Sequence, residues 1–179
     1  MKKIYILLMH TNTIPSNIVR FFTGYKYSHV ALSLDKECIA TYSFGRKKLN
    51  SILNGGFVEQ YKDGEFFKKF NNTSCSIYEI EVTDEKYYQI EALLNEMKKD
   101  SEKYKYDFIG LICRYFNIKV VFRNHYVCSY FVAEILKDAG ICEFDKEVCF
   151  VKPKDFEDLE GFKKVYTGSY NLYNNIGVA

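Results

Sequence analysis

The sequence predicts an α+β fold: an antiparallel sheet, closing partway into a barrel, with helices packed against it. Three observations point there. Short apolar or alternating runs bounded by turn residues read as strands, the first from Ile4 to Met9. Strong helical periodicity starts near Thr83 and again at Cys128. The two kinds of element are interspersed without the strict β-α-β rhythm of a doubly wound sheet. The 179 residues make one domain, 1–179, and 47% hydrophobic with 27% charged residues is the balance of a globular chain.

The elements follow in order. Ile4–Met9 is a buried strand, and Pro15–Phe22 a short helix with Ile18, Val19 and Phe22 on one face, Pro15 in its first turn and Gly24 at its end. His29–Leu34 and Cys38–Phe44 are strands joined into a hairpin by the polar turn Asp35-Lys36-Glu37. Residues 45–56 are a surface loop, and Phe57–Tyr61 and Cys75–Val82 are further strands. Thr83 opens a helix with Asp84 and Glu85 in its first turn. Ile90, Leu93, Leu94 and Met97 repeat along it, and Lys98-Lys99 ends it. A second helix covers about 107–116, and 118–122 is a strand or a loop. Cys128–Ala139 is a third helix, closed by Gly140. Residues 153–160 suggest one more turn of helix, and the polar, aromatic tail 166–179 has no assignable place.

Composition excludes several function classes. With 25 basic and 23 acidic residues, no nucleic-acid partner is expected, and Arg46-Lys47-Lys48 and Lys68-Lys69 read as solvated surface. The run Ile4–Met9 is shorter than the roughly 7–15 apolar residues of a secretory signal. No stretch is long enough to span a bilayer, so a cytoplasmic protein is expected. The six cysteines include no Cys-x-x-Cys pair and are expected as free thiols. His125-x-x-Cys128 offers two metal ligands but lacks two more at recognisable spacing, so neither metal nor cofactor is expected.

Cys128 is the most informative position. It begins the apolar face formed by Phe131, Val132, Ile135, Leu136 and Ala139, at the N-terminus of its helix. Unpaired N–H groups and the helix dipole there favour thiolate over thiol, and the same N–H groups can hold an oxyanion. A buried core cysteine is the alternative. A nucleophile needs a base, and the chain has three histidines: His10, His29 and His125. His29 opens a strand, where a side chain can project into a cleft. His125 is close in sequence to Cys128, and His10 ends the first strand.

Tyr27-Ser28-His29-Val30-Ala31-Leu32-Ser33-Leu34 resembles the histidine segment of the circularly permuted NlpC-like, papain-fold cysteine hydrolases. Ile6-Leu7-Leu8 with Ile18 to Gly24 is similar to that family's opening strand and helix. Tyr126-Val127-Cys128-Ser129-Tyr130-Phe131-Val132, continuing to Ala139-Gly140-Ile141, is similar to its nucleophile helix. The order, histidine before cysteine, is the permuted one, and the resemblance covers roughly residues 4–160. It implies a permuted papain-like fold with the nucleophile at a helix N-terminus. It also implies a thiol-dependent hydrolase of amide or ester bonds, Cys128 attacking and His29 moving the proton. Peptidases, amidases and lipid-directed acyltransferases or thioesterases all fall within it, so the partner is a small peptide, amide or acyl substrate. Where many members carry an acidic residue on the next strand, this chain has Thr41-Tyr42-Ser43, and after the cysteine it has Tyr130. With the turn centred on Lys36, position 43 falls opposite His29, so Ser43 is the expected orienting group, ahead of Thr41 or Tyr42. A neutral partner stabilises imidazolium less than a carboxylate does, which leaves a catalytically weak or inactive binding module as the rival reading. Phe57, Tyr61, Phe66 and Phe67 either line an apolar acyl site or pack in the core.

Overall fold

A computed structural model describes residues 1–12, 16, 17, 20, 24–48 and 54–175. Among them lie strands β1 (Lys2–His10), β2 (His29–Ser33), β3 (Ala40–Arg46) and β4 (Gly55–Tyr61), helix α1 (Glu65–Lys69), and β5 (Ser74–Val82). There follow α2 (Asp84–Lys99), β6 (Lys105–Tyr106), α3 (Phe108–Tyr115), β7 (His125–Tyr126), α4 (Cys128–Asp138) and β8 (Lys163–Ser169). The fold is α+β. One eight-stranded sheet, in the order β7-β6-β4-β3-β2-β1-β5-β8, curls into a half-barrel. The sheet is mixed rather than purely antiparallel, because β6 and β7 pair in parallel. The α3 excursion between them is the crossover that a parallel pair requires.

Alternation sorts the core into two layers. Ile4, Ile6, Leu8, Val30, Leu32, Phe44 and Phe57 face helices α2 and α4 and meet Ile90, Leu94, Phe131, Val132 and Leu136. Tyr5, Leu7, Met9, Ala31, Cys75 and Ile77 face the other way and meet Phe67 and Tyr170. β1 is therefore buried on both faces, which is why its sequence is continuously apolar. Thr83 caps α2 by accepting from the Lys86 N–H at 3.3 Å. Ile90, Leu94 and Met97 are buried, but Leu93 is exposed. α4 ends in a left-handed Gly140 (φ 59°), with Gly140 N–H donating to Lys137 O and Ile141 N–H to Leu136 O, both at 2.8 Å.

The structure fills in several points that the sequence leaves open. The tail is structured as far as Asn175: β8 pairs with β5, and a 3₁₀ turn, Tyr170–Asn175, follows. Tyr170 is fully buried and donates to Cys38 O at 2.7 Å. The turn expected at 153–160 is a 3₁₀ helix, Pro153–Phe156, and 118–122 is irregular. Most of the helix expected at Pro15–Phe22 lies outside the described residues. Phe57 and Phe67 sit in different core layers, so they do not line one acyl site. Among the described residues, no helix is long and apolar enough to cross a membrane.

Candidate active site

Val127 adopts an extended conformation and starts α4 without any side-chain cap. The first N–H groups of the helix are thus left open. The Cys128 sulfur lies among three backbone N–H groups, those of Val30, Ser129 and Cys128 itself, and each favours its thiolate. Burial outweighs them: the thiol is pushed above its ordinary value. The low-pKa thiol expected from helix position alone is therefore not what the resting site carries. Cys128 is 6% exposed. Next to it, the Ser129 hydroxyl donates to Val151 O at 2.6 Å and ties the helix start to the segment after α4.

The peptide of Val30 is the hub of the site. Its N–H faces the Cys128 sulfur, and its carbonyl accepts from the Ser43 hydroxyl at 2.6 Å. Val30 directly follows His29, so the strand brings the histidine backbone beside the thiol. Ser43, expected to orient the imidazole, instead holds the Val30 carbonyl. The pair Leu32↔Tyr42 sets the register, and extending it puts Gly45, not Ser43, across from His29. The imidazole confirms this: a Cβ on Gly45 would stand 3.7 Å from His29 Cε1 and 3.7 Å from Val58 Cγ2. The two-residue offset comes from the turn. Cys38 is left-handed (φ 50°), and the Asp35 carboxylate accepts from Ile39 N at 2.8 Å and Ala40 N at 3.3 Å. The turn thereby extends through residue 39.

Burial lowers the His29 pKa to about 4, so the imidazole is neutral at neutral pH. Among the described residues, no hydrogen bond joins His29 to Cys128 or holds either ring nitrogen of His29. The other two histidines are engaged elsewhere. His10 is buried, with Nδ1 2.9 Å from Ser16 Oγ and 3.3 Å from Ser28 Oγ, and Nε2 3.3 Å from Arg20 Nη1. Burial and then the Arg20 charge lower its pKa. His125 sets Nδ1 2.8 Å from Arg123 O and rests on Phe122.

Tyr106 was not singled out by the sequence. It lies close enough to Cys128 for a thiolate there to raise its already raised hydroxyl pKa further, burial being the larger cause. A Cβ on Gly55 would come within 2.7 Å of Tyr106 Cβ, so this glycine makes room for the ring. One tyrosine among 16 carries no signal of its own.

The remaining candidates are structural. All six cysteines are free. Among the described residues, no group of three or more His, Cys, Asp or Glu side chains could hold a metal. Lys47 donates to Ser101 O at 2.8 Å, and the Arg46 guanidinium lies 5.3 Å from the Phe70 ring centre. No family model matches this chain, and no curated protein is significantly similar to it.

Proposed function

We propose that the chain is a thiol-dependent hydrolase of amide or ester bonds, working through an acyl-enzyme at Cys128. The observation that carries this is the Cys128 sulfur among the N–H groups of Val30, Ser129 and Cys128 at an uncapped helix start. A tetrahedral intermediate carries its oxyanion on the carbon bonded to the sulfur, beside these donors. In this reading the Cys128 sulfur attacks the substrate carbonyl while His29 takes the thiol proton. His29 returns it to the leaving group, and water then cleaves the thioester. With a neutral imidazole and a thiol above its ordinary pKa, proton transfer accompanies attack, and no thiolate–imidazolium pair stands ready beforehand. Ser43 acts as a positioning residue through Val30. The resemblance to permuted NlpC-like hydrolases supports the same assignment, with a small peptide, amide or acyl substrate, no cofactor, and a cytoplasmic setting that keeps the thiols reduced.

A second reading, a binding module of the same fold without turnover, is favoured by the absence of any hydrogen bond to His29 among the described residues. Hydrolysis of p-nitrophenyl esters and peptide anilides separates the two. The hydrolase loses its acyl-enzyme burst in Cys128→Ala and about 10²–10⁴-fold in rate in His29→Ala. A wild-type rate no faster than Cys128→Ala leaves the binding module.

A further inference from the structure

The end of β3 carries a charge that no carboxylate of the described residues answers. Arg46, expected as solvated surface, is half-buried, and its Nη2 is buried without a hydrogen-bond partner among those residues. Burial lowers its pKa, with no neighbouring acid to oppose the shift. Comparable cations are matched. Lys47 donates to Ser101 O at 2.8 Å and pairs with Glu102 at 3.1 Å. Arg114 Nη2 donates to Asp107 Oδ2 at 2.9 Å. The Arg46 guanidinium carbon lies 5.3 Å from the Phe70 ring centre and 6.0 Å from that of Phe66. A ring attracts the cation but offers its N–H groups no lone pair. The aromatic contact therefore accounts for the charge and leaves the donors unused.

Its place in the fold gives this orphan a use. Arg46 directly follows Gly45, and a Cβ on Gly45 would stand 3.7 Å from His29 Cε1. His29, too, has no hydrogen bond to its ring among the described residues, and burial is the one influence on its pKa. A guanidinium and an imidazole without partners thus meet at one strand end. Buried polar groups are nearly always hydrogen-bonded, and an unsatisfied one in a folded chain points to a missing ion or ligand group. The N–H fork of a guanidinium matches the two oxygens of a carboxylate. One unmatched cation balances a monoanion. A phosphate dianion would need a second, and Lys47 and Lys48 both act on Glu102. We infer that Arg46 binds a carboxylate of the substrate, holding it beside the His29 imidazole. The carboxylate site stands on Arg46 itself. Its role in turnover rests on the hydrolase reading, which it narrows to peptide or acyl substrates with a negative charge near the scissile bond.

Acetyl-glutamyl and acetyl-glutaminyl p-nitroanilides have nearly the same shape and differ in charge. Wild type cleaves the glutamyl compound with a kcat/KM at least about tenfold higher. Arg46→Met brings the ratio to within about twofold of one, and Arg46→Lys, which keeps the charge without the fork, falls between. Should Arg46→Met fail to fold by circular dichroism, Arg46→Gln gives the same reading. Titration calorimetry with glutarate reads the site without turnover: wild type binds it and Arg46→Met does not. Equal Cys128-dependent rates on the two anilides overturn the inference, as does a preference that survives Arg46→Met. Inorganic phosphate that displaces glutarate at equal affinity also overturns it, because the site would then take any anion. Where neither anilide is cleaved but glutarate binds through Arg46, the hydrolase fails and the carboxylate site stands. Where glutarate does not bind either, both fail.

Discussion

Helices α3 and α4 are neighbours in sequence, both are rich in apolar residues, and they use them in opposite ways. α4 buries Phe131, Val132, Ile135 and Leu136 against β2 and β3. α3 turns Ile109 and Ile112 to solvent and buries an arginine. Apolar content therefore does not identify the inward face. In α3 that face is set by the Asp107–Arg114 pair, with the two side chains 1% and 7% exposed. A buried ion pair can hold its place only when both charges are matched, and here the match fixes the rotation of the helix.

The comparison can be broken at its strongest point first. Asp107→Ala leaves the Arg114 guanidinium buried without its carboxylate and should cost about 3–5 kcal/mol in urea denaturation. A loss below 1 kcal/mol would mean that the pair does not orient α3. Leu136→Ala, in the matching test on α4, should cost about 2–5 kcal/mol.

Acid probes the His29 imidazole. The unfolded imidazole of His29 takes a proton near pH 6.5, the folded one only near 4. Between those values the unfolded state binds more protons, so stability falls as pH drops from 7 toward 4, on the order of 2–3 kcal/mol. His10, lowered in the same direction, adds to the slope. Thermal melts across this range should show wild type losing stability relative to His29→Gln as pH falls, and parallel curves would count against an imidazole held neutral in the fold.

Ser43→Ala leaves the buried Val30 carbonyl without its donor and should cost about 1–3 kcal/mol. If Ser43 acts through Val30, the variant also lowers kcat of any Cys128-dependent turnover without shifting its pH profile. A shifted profile would return Ser43 to the imidazole. The smallest effect sharpens the contrast most: Ile112→Ser, on the exposed face of α3, should stay within about 0.5 kcal/mol of wild type.

The parts of the fold legible in the sequence are those whose burial leaves a period. β1, the hairpin strands, α2 and α4 carry apolar repeats and turn residues, and their positions are read within a few residues. β6 and β7, two residues each, are too short to carry a period. β8 lies at the sheet edge with Lys163, Lys164 and Val165 exposed, so no alternation marks it. α1 is a single turn-and-a-half whose one buried residue is Phe67. At the site, the helix start at Cys128 and the strand start at His29 were legible. The register between β2 and β3 was not, because it depends on the Asp35 side chain capping two amides and on left-handed Cys38. The orientation of α3 was equally hidden: a periodicity of apolar residues is the same whether that face turns inward or outward.

The two ends of the α3 excursion lie side by side. Lys105 N–H donates to Asn124 O at 2.9 Å and Asp107 N–H to Tyr126 O at 3.0 Å, closing the segment at its neck. A segment joined this way behaves as a cassette. Its exchange for another of different length costs little in chain closure, since that cost grows only slowly with length. β7 leads through Val127 straight into Cys128, so the neck also serves as the fixed footing of α4. Leu111, packed against the Val127, Tyr130 and Cys149 cluster, and Arg114, paired to Asp107, tie the cassette to that footing, and its solvent-facing positions are the ones free to change.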